Sequence, residues 1–180
     1  MINPFKKTWK KEEIIFFDFL RKNILFHNLT NKELSKLLPV LHLRKYKKDE
    51  VVFFRNDPSQ AIYIMKSGTV RLFIDTYGKE EDLVTVSSGY VFGQNAITPN
   101  SKRLYTAQVE SDKAELYVLP KVSMFEIFSK NVELKAKVYE TLSCYYSDYI
   151  NNTFKAYRQN FGFFQLSQIY NNKLYDPKDD

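Results

Sequence analysis

Between residues 40 and 120 the chain is a succession of short apolar runs at roughly ten-residue spacing, and no other feature narrows its possible folds as far. The runs are Leu41–Leu43, Val51–Phe54, Ala61–Met65, Thr69–Ile74, Leu83–Val86, Tyr105–Val109 and Glu115–Leu119. Each is too short for a stable helix, and most are rich in the β-branched and aromatic types that suit a pleated surface. Turn-forming clusters separate them: Lys48-Asp49, Asn56-Asp57-Pro58-Ser59, Ser67-Gly68, Tyr77-Gly78-Lys79, Ser87-Ser88-Gly89 and Thr98-Pro99-Asn100-Ser101. No long helical stretch intervenes, which excludes a parallel sheet of βαβ units. About seven or eight strands in this arrangement specify a sandwich or barrel. The fold class expected is mainly β with flanking helices, a double-stranded β-helix or jelly-roll barrel.

Helices are expected on both sides of this region. Residues 11–22 place Ile14, Ile15, Phe17, Phe19 and Leu20 around a helical stripe, with acids early and bases late, as the helix dipole favours. Thr30-Asn31-Lys32-Glu33 is a capping box that opens a second helix, whose apolar face is Leu34, Leu37 and Leu38 and whose end is set by Pro39. Residues 121–129 read as one more short helix. A long helical pattern then carries Ala136, Tyr139, Leu142, Tyr146, Tyr149, Ile150, Thr153 and Tyr157 near one face. The expected organisation is an N-terminal helix over 1–23, a β jelly roll over 24–130, a long helix over 131–160 and a tail over 161–180. A stripe as long as that of 131–159 is expected to find its partner on a second copy of the chain.

Composition excludes several functions. The chain is 44% apolar, enough to bury a core and avoid disorder. Its charge of +6 is spread in small clusters such as Lys10-Lys11 and Arg44-Lys45, without a groove-reading element for DNA. Cys144 is the one cysteine, so a disulfide framework or a Cys-rich metal site is ruled out and a reducing compartment is expected. No run approaches the ~18 apolar residues of a membrane span, and the basic start Met1–Lys7 is not followed by a signal-type apolar segment. A cytoplasmic protein without membrane association is expected. A metal-dependent enzyme on a cupin-like barrel would need a histidine cluster, whereas His27 and His42 lie before and at the start of the β region. Cys144 has no histidine near it in sequence to activate it. An enzyme is not expected, and no cofactor is required.

One segment carries possible binding chemistry. Gly89-Tyr90-Val91-Phe92-Gly93-Gln94-Asn95-Ala96-Ile97-Thr98-Pro99 holds two glycines four apart, a short apolar turn and, a little later, Arg103. A glycine-flanked helical turn offers free backbone N–H groups to an anion, and an arginine can grip a phosphate with two donors. With Leu43–Phe53, Ile62–Val70, Gly78, Ser88-Gly89, Phe92–Ile97, Arg103 and Thr106 in this order, residues 24–129 resemble the cyclic-nucleotide-binding domain family, which includes catabolite activators, kinase regulatory subunits and gated channels. The resemblance implies a phosphate-binding cassette made of Phe92, Gly93, Gln94, Asn95, Ala96, Arg103 and Leu104. Arg103 would hold the cyclic phosphate, backbone near Ala96 would complete the cradle, Gly93 would allow close approach, and position 94 would take the ribose hydroxyl. The possible ligand implied is cyclic AMP, cyclic GMP or another phosphorylated small molecule.

The cassette departs from the family pattern. Gln94 stands at the glutamate position and Asn95 at the leucine, while Leu104 and Tyr105 replace small residues after the arginine. Exchanging a charge-assisted bond for a neutral one costs about 1–2 kcal/mol, or roughly tenfold in affinity. Tyr105 is expected to fill part of the pocket. About twenty residues follow Gln159, too few for the helix-turn-helix that family transcription factors append, so direct DNA binding is not expected. Two readings result. One is a ligand-sensing module with weakened or altered nucleotide specificity that regulates a partner through its C-terminal helix. The alternative is a degenerate, ligand-free, dimeric interaction scaffold.

Overall fold

The computed structural model describes residues 8–76 and 78–161. Eight strands form two four-stranded sheets in which every pairing is antiparallel. They are β1 (His42–Lys47), β2 (Val51–Phe53), β3 (Ala61–Ser67), β4 (Val70–Thr76), β5 (Lys79–Val86), β6 (Val91–Phe92), β7 (Thr106–Val109) and β8 (Lys113–Pro120). The orders are β1-β8-β3-β6 and β2-β7-β4-β5. Among the described residues no ladder joins one sheet to the other, so the expected jelly roll is an open two-sheet roll rather than a closed barrel. Inward side chains from both sheets meet in one core: Phe53, Val70, Leu72, Val86, Ala107 and Val109 from one, Met65, Phe92, Ala114 and Leu116 from the other.

The strand rhythm of the sequence locates these elements, with two differences. Strand β5 extends back to Lys79 because its first seven residues lie exposed on a sheet edge, where charge replaces the apolar signal. Strand β6 is two residues long, below the length at which periodicity shows.

The chain divides into two compact units, one up to Thr141 and one from Leu142. Helices α1 (Lys11–Arg21), α2 (Asn31–Leu37), α3 (Lys121–Lys130) and the first turns of α4 (Val132–Phe161) belong to the former. On α1 only Phe17 and Leu20 are buried; Ile14 and Ile15 are exposed, so the stripe is narrower than its composition implies. Phe16 and Phe19 pack instead on Tyr117 of β8, at ring separations of 4.9 and 5.9 Å. In the second unit α4 exposes Cys144, Tyr149 and Ile150. The tail expected over 161–180 lies outside the described residues from 162 onward.

The capping box forms as its sequence dictates. Thr30 Oγ1 accepts the Glu33 N–H, and Glu33 accepts the Thr30 N–H at 2.7 Å. Lys137 of α4 donates to the same carboxylate at 2.9 Å, tying α2 to α4. Burial pushes the Glu33 carboxyl up, but Lys137 and the two bonds from Thr30 together hold it below the ordinary range. A carboxyl depressed in the folded state stabilises the fold above its unfolded pKa and loses that contribution as pH falls through the folded value. Thermal unfolding of wild type and Glu33→Gln between about pH 7 and about pH 3 will therefore show a stability gap that narrows at the acid end. A gap that stays constant with pH would remove Glu33 from the acid response.

Candidate phosphate-binding cassette

The turn that follows β6 is built around Gly93. Its φ of 69° and ψ of 21° put it in the left-handed region, where it caps the single 3-10 turn Gln94–Ile97. A Cβ at this position would lie 2.6 Å from Arg103 Nη1 and 3.3 Å from the Ala61 carbonyl oxygen. Glycine is required here twice over, for the backbone angle and for the approach of the arginine.

Arg103 reaches this turn through a strap of backbone bonds. Its N–H donates to the Asp57 carbonyl at 2.8 Å and its carbonyl accepts from Asn56 at 2.9 Å. The side chain is 3% exposed and donates to the Gly93 carbonyl at 3.0 Å and the Ala61 carbonyl at 2.7 Å. Its guanidinium carbon lies 4.1 Å from the centre of the Phe53 ring and 5.5 Å from that of Tyr63. No carboxylate comes within salt-bridge distance of Arg103 among the described residues. Its Nε is buried without a hydrogen-bond partner. Burial draws the guanidinium pKa below its ordinary range, against the opposing pull of Tyr63 and Tyr105, while a guanidinium still keeps its charge. A buried cation held by neutral partners is electrostatically incomplete, and an anion is the group that completes it.

An aromatic collar surrounds this charge. Phe92 is fully buried and stacks on Tyr63 at 5.3 Å, and Phe53 touches Tyr63, Phe92 and Tyr105 at 5.5 to 5.9 Å. The Tyr105 hydroxyl accepts the Gly93 N–H at 3.0 Å. Tyr105 thus enters the site as its bulk implies, and its oxygen occupies a backbone donor of the cassette turn.

The other cassette residues divide. Gln94 Oε1 is buried without a partner, an idle acceptor beside Gly93. Asn95 braces the turn: its side-chain amide donates to the Lys102 carbonyl and its own carbonyl accepts from Ser101, both at 2.6 Å. Ala96 is fully buried, with its N–H donated to the Gly93 carbonyl at 3.1 Å. The Leu104 side chain is 65% exposed and is not part of the buried group around Arg103. Residues 104 and 105 form a bend ahead of β7, in which Arg103 is buried, Leu104 exposed and Tyr105 half-buried. The collar residues Phe53 and Tyr63 went unread in the sequence; their signal is that they are aromatic at strand positions bordering the core. The turn also touches helices, for Tyr139 of α4 donates to the Ile97 carbonyl at 3.1 Å and Lys121 of α3 to that of Thr98 at 3.0 Å.

No cluster of three or more His, Cys, Asp or Glu is arranged to hold a metal among the described residues, and no described helix is long and apolar enough to cross a membrane. His27 Nδ1 lies 2.7 Å from the Ile24 carbonyl, a local bond, and His42 opens β1 on an exposed position.

Comparison with known proteins agrees with this geometry. The family model described as "Cyclic nucleotide-binding domain" matches residues 43–131. The cyclic AMP receptor protein of Thermus thermophilus is 32% identical over 89 residues, which are 49% of this chain and 41% of that protein. A cAMP-dependent protein kinase regulatory subunit of Candida albicans is 27% identical over 150 residues, covering 77% of this chain and 32% of the relative. The chain thus spans less than half the length of these curated relatives. Among solved structures, the catabolite activator protein of Thermus thermophilus superposes with a TM-score of 0.64 at 25% identity, covering 74% of this chain and 61% of the other. The N-terminal domain of a transcriptional regulator from Streptomyces coelicolor reaches 0.68 at 18% identity, over 76% of this chain and 95% of the other, and supports the fold alone. Fold, turn and match point the same way: residues 43–131 match the cyclic nucleotide-binding domain family.

Proposed function

We propose that the domain is a ligand-sensing regulatory module that takes a cyclic nucleotide or a related phosphorylated small molecule against Gly93, Gln94 and Arg103. The observation that carries this reading is the buried Arg103 guanidinium, which has an idle Nε and no carboxylate partner among the described residues. Gln94 takes the ribose side with its idle oxygen, as a neutral acceptor, which shifts specificity away from ligands that need a charged partner there. The bond from Tyr139 to Ile97 gives occupancy a route to α4, through which a partner is regulated.

A phosphate oxygen that takes the Gly93 N–H must first displace the Tyr105 hydroxyl. Calorimetric titration of the full chain with cyclic AMP and cyclic GMP is the test. Wild type is expected to bind in the micromolar to millimolar range, and Tyr105→Phe about three- to tenfold more tightly, because one competing hydrogen bond is gone. Absence of heat from both proteins, folded and at millimolar ligand, would sink the reading.

A second reading is favoured by the same hydroxyl: a cassette that satisfies itself serves as a scaffold, and the exposed Tyr149 and Ile150 of α4 would then pair with a second copy through residues 131–159. A solution mass that stays monomeric at every concentration would exclude it.

A further inference from the structure

Outside the cassette, the segments 58–60 and 100–102 and one face of α3, from Lys121 to Ser129, line a groove of about 820 Å³. Neither Gly93 nor Arg103 lines it. Its walls combine two ammonium groups, an apolar surface and one carboxylate. Lys102 forms no ion pair among the described residues, and Lys121 stands 5.8 Å from the Phe125 ring centre. Val122 is 67% exposed on the same wall, and Glu126 supplies the acid.

Ser59 is the feature that an ordinary surface cleft lacks. It lines the groove with only 1% of its surface exposed, and its hydroxyl has no hydrogen-bond partner. Its backbone is fixed, because its N–H donates to the Ser101 carbonyl at 2.9 Å and the neighbouring Pro58 bridges to Lys102. A buried hydroxyl left unpaired is costly, and a ligand acceptor would satisfy it.

The volume is that of a small-molecule site. Two lysines select an anionic headgroup, Phe125 and Val122 a flat apolar body, and Glu126 a hydroxyl or amino donor. We propose that this groove is a second binding site, separate from the cassette, for a mononucleotide-sized organic anion with a planar ring. The headgroup chemistry is shared by phosphates and carboxylates, and the probes distinguish them.

The experiment is amide chemical-shift mapping on the full-length protein with adenosine 5′-monophosphate, phenyl phosphate and benzoate, and with adenosine and inorganic phosphate as half-ligands. Shifts are expected at Ser59, Gln60, Lys102, Val122 and Phe125, with the ring-bearing anions binding at least about tenfold tighter than either half-ligand. A preference for the two phosphates over benzoate identifies the headgroup as phosphate, and the reverse order identifies it as carboxylate. Ser59→Ala and Lys102→Gln, both small changes compatible with the fold, should each weaken binding about fivefold or more. Shifts confined to Gly93, Gln94 and Arg103, affinities indifferent to both substitutions, or no saturable shift at about 10 mM probe would overturn the proposal.

Discussion

Gly93→Ala will destabilise the domain far more than Gly78→Ala, although the two glycines share nearly the same backbone angle. Both are left-handed, with φ of 69° and 74°, so each alanine incurs a conformational cost of about 1–2 kcal/mol. Around Gly78 nothing lies within 4 Å of an added Cβ, and the cost ends there. At Gly93 the Cβ meets Arg103 Nη1 at 2.6 Å, so the guanidinium must withdraw from the Gly93 and Ala61 carbonyls or the turn must move. Losing those two charge-assisted bonds adds roughly 2–3 kcal/mol. In thermal unfolding, Gly78→Ala should lower the Tm by about 2–8 °C and Gly93→Ala by roughly twice that or more. Equal shifts would mean that the arginine yields its position freely and that the cassette is looser than its hydrogen bonds indicate.

Arg103→Met separates a binding arginine from a structural one. Methionine keeps most of the volume against Phe53 and removes the charge. The guanidinium has no carboxylate within ion-pair distance to lose; the Gly93 and Ala61 carbonyls each lose one bond to this side chain, and the Gly93 carbonyl retains the Ala96 N–H. Exchanging an imperfectly compensated buried charge for a hydrophobic side chain is often close to neutral, so stability should change by no more than about 1 kcal/mol. Affinity for a phosphorylated ligand should fall by about a hundredfold or more, the effect of removing a charge-assisted, two-donor contact. Urea unfolding and calorimetry on the same protein read both quantities. A large loss of stability with binding intact would make Arg103 a strut.

The parts of the molecule legible in the sequence were those written in local chemistry. Thr30 and Glu33 announce a helix start because both bonds of a capping box are made within four residues, and both form. Gly93 and Arg103, ten positions apart, were readable together because a known family spaces them so. The exposure of Leu104 was not legible, because the bend at 104–105 that sets it has no periodic signal in the sequence. The collar of Phe53 and Tyr63 escaped notice because its members come from different strands and meet only after the sheets fold over each other. Ser59 escaped for a related reason. In the sequence it is one polar residue in a turn, and its burial depends on loops and on α3, more than forty positions away.

The bond from Gly93 to Tyr105 has a consequence for what a sensor of this design measures. A hydroxyl tethered inside the site acts as an internal competitor at an effective concentration fixed by the fold, which dilution cannot lower. Every anion that needs the Gly93 N–H meets the same opponent and is weakened by the same factor, whatever the rest of its structure. In the proposed sensor Tyr105 would therefore set a threshold and leave the order of preference among ligands to Gln94 and the collar. One oxygen atom would then determine how much ligand must accumulate before such a sensor responds, and adding or removing it would recalibrate the response without redrawing the pocket.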